Sequence, residues 1–161
     1  LLTSLACGGD SAGVSELLLG TGDFASPEIN RTGFESGKTA LGHQTAIAEL
    51  AGPGFVLQHS LVIFNDEASA HTALAGVKLQ WEHQARDSDT STLIRDHLPI
   101  LSNLAQGLVA GLLEEVRAGN STSSLIFVEG RVLVRLTMTG PSGRELLATY
   151  AEKARLKASR N

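Results

Sequence analysis

Two β-rich runs joined by a two-residue turn constrain this chain more than any other feature. Residues 124–128 and 131–139 flank Glu129-Gly130. A pair ending in Gly between such runs suits a tight hairpin, because Gly accepts positive φ without steric cost. In the second run Val132, Val134, Leu136 and Met138 alternate with Arg131, Leu133, Arg135 and Thr137. A period of two sends one set to a core face and the other mostly to solvent. Gly140-Pro141-Ser142-Gly143 stops the strand, and Leu146, Leu147, Tyr150, Ala151 and Ala154 then mark the inner stripe of a helix. A strand–turn–strand–helix unit of this kind predicts an antiparallel sheet with a helix packed on it.

Upstream the pattern is less regular. Residues 55–64 read as a strand ending in Leu61-Val62-Ile63-Phe64. Asn65 or Asp66 then supplies a side-chain acceptor for a helix start. Ala70, Ala73, Leu74, Val77 and Trp81 fall at i, i+3, i+4, i+7 and i+11, which predicts one helical stripe running to about Ala85. Residues 87–92 read as a polar loop and Gly52-Pro53-Gly54 as a firm break. Residues 40–50 read as a short helix anchored by Leu41, Ile47 and Leu50, and residues 20–38 as loops with room for one short strand. Residues 98–118 allow two readings. Leu104, Leu108, Leu112 and Val116 fit a helix, which the periodicity favours; a strand over 108–117, turning through Ala118-Gly119-Asn120, would complete a three-stranded meander.

The 161 residues suit a single domain. A chain of roughly 150 residues buries about 68–70% of its unfolded surface, so a core needs neither disulfide nor metal to hold it. Thirteen Lys and Arg against seventeen Asp and Glu leave a net charge of −4, which repels phosphate backbones, and no basic stripe overrides it. Lys153, Arg155, Lys157 and Arg160 gather at the end of the last helix, where cations complement the helix dipole. Aromatic residues make up 4%, too few for a stacking platform. Nucleic acid is excluded as a partner on these grounds.

At the N-terminus, Leu1-Leu2-Thr3-Ser4-Leu5-Ala6 stops at Cys7, and Gly8-Gly9-Asp10-Ser11-Ala12-Gly13 follows with linker composition. The segment resembles the end of a bacterial lipoprotein signal, in which a small residue precedes a Cys that is lipidated and becomes the mature N-terminus. Ala6 and Cys7 match; Ser4 departs, since the position three before the Cys is most often Leu and here Leu stands at position 5. The resemblance implies residues 1–13 as signal remnant, lipidation site and tether, and residues 14–161 as one folded domain. It places that domain outside the cytoplasm, on the outer face of a bacterial membrane. The competing reading makes Cys7 a small buried hydrophobe at the start of a folded element.

Phe64 with the helix from Asp66 to Trp81, and Phe127-Val128-Glu129-Gly130-Arg131 with the helix after Pro141, are similar to small exported bacterial lipoprotein domains of uncharacterised function. That resemblance implies an antiparallel sheet backed by two helices and tilts 108–117 toward a strand. The expected fold is therefore α+β: about four to five antiparallel strands packed against two main helices in two layers.

Reactive side chains are scattered. His43, His59, His71, His83 and His97 never stand at i, i+4 and no Cys pair exists, so zinc spacing is missing. No G-x-S-x-G elbow is present, and Ser11, Ser60 and the serines of 121–124 have no motif-supplied base. Cys7 has no positioned His. Gly20-Thr21-Gly22 lacks the strand-to-helix context of a dinucleotide loop. Glu49, Glu114 and Glu115 read as solvated, and Asn30-Arg31-Thr32 and Asn120-Ser121-Thr122 matter as glycosylation triplets only in a eukaryotic secretory route. No residue qualifies as catalytic, cofactor-binding or metal-ligating, and no cofactor is expected.

The expected function is a non-catalytic binding or interaction domain held at a membrane by lipid on Cys7, its partner a protein or small molecule. Two alternatives stand beside it. One is a carrier of a small apolar ligand or lipid between sheet and helices, with Ala70, Ala73, Gly76, Ala151 and Ala154 leaving room. The other is a hydrolase without a recognisable motif.

Overall fold

The C-terminal hairpin forms as its sequence demands, and the rest of the sheet grows outward from it. In the computed structural model, which describes residues 11–94, 108–117, 119–141 and 143–160, the strands are β1 (Asn30–Lys38), β2 (Gln44–Gly52), β3 (Phe55–Ile63), β4 (Ser91–Ile94), β5 (Val109–Arg117), β6 (Asn120–Glu129) and β7 (Val132–Thr139). The helices are α1 (Ser11–Glu16), α2 (Glu67–Asp87) and α3 (Gly143–Ala158), with a single 3-10 turn at Thr21–Asp23. All pairs are antiparallel in the order β1-β2-β3-β7-β6-β5-β4. Gly130, at φ 56°, turns β6 into β7. Asp66 is the N-cap of α2, its carboxylate accepting from the Ser69 amide at 2.7 Å.

Seven strands correct the expectation of four to five. Three of the strands were hard to read for distinct physical reasons. β1 is an edge strand exposed along nearly its whole length, so it carries no apolar alternation. β2 is built largely of Ala, Glu and Leu, good helix formers, and residues 44–50 form a strand where a helix is predicted; only the period-two burial of Ala46, Ala48 and Leu50 betrays it. Leu41, taken above as a helix anchor, lies outside the core in the β1–β2 loop. In β5 successive residues Leu112 and Leu113 are buried on opposite faces, which erases alternation. The strand reading of 108–117 is the one that holds, and the meander pairs Arg117 with Asn120 at the start of β6. Residues 95–107, with Leu104 and His97, lie outside the described residues.

The two-layer expectation is corrected as well, because the helices cover opposite faces. On one, Leu57, Leu61, Val134, Leu136, Met138, Leu125 and Phe127 pack with α1, with Phe24 and with Leu147, Ala151 and Ala154 of α3. On the other, Ala110, Leu113, Ile126 and Val128 pack against Ala70, Leu74 and Trp81 of α2. Within β6, Leu125 and Phe127 belong to the first core and Ile126 and Val128 to the second. The α2 helix leaves the end of central β3, lies over β4, β5, β6 and β7, and delivers the chain to the far edge.

Candidate functional site

Because α2 lies toward β4, the half of its face formed by β1, β2, β3 and the far end of β7 carries no helix among the described residues. Sheet register then decides which side chains occupy it. Thr137 of β7 faces Gln58 of β3, and Gln58 faces Glu49 of β2, beside the β1 irregularity between Arg31 and Gly33, while Ser124 of β6 is buried behind Thr137. A polar row thus crosses four strands, roughly 14 Å at about 4.8 Å per strand. Its groups are already oriented. The Ser124 and Thr137 hydroxyls are 3.1 Å apart, Arg135 Nε donates to Thr137 Oγ1 at 3.2 Å, and Thr32 Oγ1 donates to Glu49 Oε1 at 2.8 Å. Thr122 and Thr139, 3.1 Å apart, extend it on one side and Ser60, opposite Arg135, on the other.

The chemistry of this surface is hydrogen bonding with one cation, Arg135, and one carboxylate, Glu49. Its shape is that of an open sheet face, which fits an extended partner better than an enclosed drug-sized ligand. Sequence alternation indicated that one side of β7 is solvated. It gave no sign that β2 and β3 continue the same row, since that depends on register between strands distant in sequence.

The sealed face holds a buried polar knot. His59, fully buried on β3, accepts the Leu19 amide proton at Nδ1 (2.9 Å), which leaves the proton of the neutral ring on Nε2, buried without a hydrogen-bond partner. Burial foremost, with Lys157 adding and Asp23 opposing, pushes the imidazole down to about 3. A group so displaced stays neutral near pH 7 and is poorly matched to acid–base work there. Around it, Lys157 Nζ donates to the Leu18 carbonyl at 3.0 Å and pairs with Asp23 at 2.8 Å. Lys153 donates to the Asp23 carbonyl and the Gly20 amide to the Asp23 carboxylate at 2.7 Å. Burial raises the Asp23 carboxyl, but the Gly20 and Lys157 contacts outweigh it and hold the group below its usual range. Cations read from the sequence as dipole partners of α3 therefore clamp the N-terminal segment to it. That role is invisible locally, because Asp23 and Lys157 lie far apart in sequence.

The remaining sequence candidates stay dispersed. His43 sits in the β1–β2 loop against Phe64, with ring centroids 4.8 Å apart. His71 and His83 are exposed on α2. Glu114 is engaged by Arg144 in a bidentate pair at 2.7 and 2.9 Å. Among the described residues no group of three His, Cys, Asp or Glu is placed to hold a metal ion. Cys7 lies outside the described residues. The small residues invoked for a carrier are divided: Ala70 is in one core, Ala151 and Ala154 in the other, and Gly76 is exposed.

No family model matches the sequence, and no curated protein matches it. Among solved structures the chain is similar to the crystal structure of the extracellular domain of PknH from Mycobacterium tuberculosis. The TM-score is 0.54 at 10% identity, covering 91% of this chain and 95% of that one. At that identity what the two have in common is their fold.

Proposed function

We propose that this chain is an extracytoplasmic bacterial domain, tethered to the outer face of a membrane by lipid on Cys7, that works by recognition and not by catalysis. The polar row Thr137–Gln58–Glu49–Thr32 is the observation that carries the recognition reading. It gathers oriented donors and acceptors on the part of that face that α2 leaves uncovered. A protein segment lying along the row is the partner this surface suits. The address is supported by the Ala6-Cys7-Gly8 pattern, and by the likeness in fold to a domain that is itself extracellular.

Two experiments test the halves separately. Metabolic labelling with palmitate in a bacterial host is expected to mark the full chain and to fail on Cys7→Ser; label that persists on Cys7→Ser contradicts the anchor. A photo-crosslinking residue at Gln58 is expected to give a discrete adduct in cells, while the same residue at His71 on α2 gives none. Equal yields from the two positions contradict recognition through the open face.

A further inference from the structure

The β1–β2 loop places an exposed leucine where a lipid tether would enter the domain. Leu41 is 82% exposed, the most exposed large apolar side chain among the described residues. Exposed leucines occur singly on many proteins without meaning. Here two further observations bear on it.

The first is position. The chain enters α1 at Ser11, and a shallow pocket of ≈360 Å³ is walled by Gly13, Val14 and Leu17 of that segment together with Gln44 and Ile63. Gln44 begins β2, immediately after the β1–β2 loop, and pairs with Ile63 at the end of β3. The start of α1 and the loop bearing Leu41 therefore share one end of the sheet. Four Cα–Cα steps separate Cys7 from Ser11, a reach of at most about 14 Å. A lipid on Cys7, as proposed above, would keep this end of the domain nearest the bilayer.

The second is construction. The loop is closed by hydrogen bonds of its own: Thr39 N donates to His43 O at 2.8 Å, Gly42 N to Thr39 O at 2.9 Å and His43 N to Thr39 Oγ1 at 3.2 Å. Gly42, at φ 83°, adopts the left-handed conformation that closes the turn, and the His43 ring braces it against Phe64. A closed, braced loop holds Ala40 and Leu41 outward in a fixed place.

We infer that this end of the sheet rests on the bilayer with Leu41 seated in its interface, an inference that rests on the Cys7 reading above. Seated so, the domain is held by two points, lipid and leucine, and its orientation is fixed. The opposite end, with Asn120 and the β2–β3 turn at Pro53-Gly54, then points away from the membrane.

The test uses the full lipidated chain carrying Leu41→Cys or, as the control at the far end, Asn120→Cys, each bearing an environment-sensitive fluorophore on the new thiol. The probe membrane is phosphatidylethanolamine–phosphatidylglycerol vesicles. The label at 41 is expected to be quenched by nitroxide lipids and at least threefold less by aqueous iodide than the label at 120. Palmitate incorporated on Cys7 with equal iodide quenching at both positions overturns the seating while leaving the anchor intact. Failure of palmitate to enter the chain overturns the anchor and the seating together.

Discussion

On the central strands a single residue step separates two kinds of surface. Leu57, Leu61, Val134, Leu136 and Met138 lie sealed in the core closed by α1, Phe24 and α3, while Gln58, Ser60, Arg135 and Thr137 on the same strands look the other way, onto a face that α2 covers only in part. The sealed face holds the fold, because apolar area removed from water is the dominant favourable term and its packing is dense. The half-open face contributes little to that core and is free to present polar chemistry. A substitution on β3, or on β7 between Arg135 and Thr139, should therefore change stability or recognition according to the parity of its position.

The largest effect that tests this contrast is expected at Phe127, a fully buried ring in the sealed core. Phe127→Ala should cost about 3–5 kcal/mol in urea unfolding. Next comes His59, whose folded-state value lies far below the ordinary 6.5. Below pH 6.5 the unfolded chain binds a proton that the folded chain refuses, so stability falls as pH falls. The slope is about 1.4 kcal/mol per pH unit over the window below 6.5 and above the folded value near 3. His59→Gln should remove that slope between pH 6.5 and 5, read from the urea midpoint. Lys157→Met, which takes away the partner of Asp23 and of the Leu18 carbonyl, should cost about 1–2 kcal/mol and speed amide exchange over residues 17–24 first. Smallest is the open face: Thr32→Val, at an exposed side chain that donates to Glu49, should stay within about 0.5 kcal/mol of the parent while lowering the crosslink yield from position 58.

The same contrast explains what the sequence revealed. The β6–β7–α3 unit was legible because each level agreed: alternation on β7, a Gly turn and a helical stripe after Pro141. The α2 stripe and its Asp66 cap were legible for the same reason. What escaped was whatever register or long-range packing decides. β1 has no core-facing set to betray it, β2 is made largely of helix formers, and β5 is buried on both faces. The two helices were placed on one side because an amphipathic stripe says only that a helix packs, not on which face. The open row was half legible, since Arg135 and Thr137 alternate with core residues, but Gln58 and Glu49 join them only through pairing. The clamp of Lys153 and Lys157 on Asp23 had no local signal at all.

Two single cysteines test the central claim most directly, that a sealed face holds an exported domain while its open neighbour meets the outside. Gln58 is exposed on the open face, and Ala48, fully buried, lies on the sealed face of the adjacent strand. In intact cells carrying the full chain, a membrane-impermeant maleimide is predicted to label Gln58→Cys, to leave the parent unlabelled as the lipid proposed for Cys7 requires, and to reach Ala48→Cys only after denaturation. Protection of Gln58→Cys until the cells are lysed, or equal labelling of both positions in intact cells, would contradict the account.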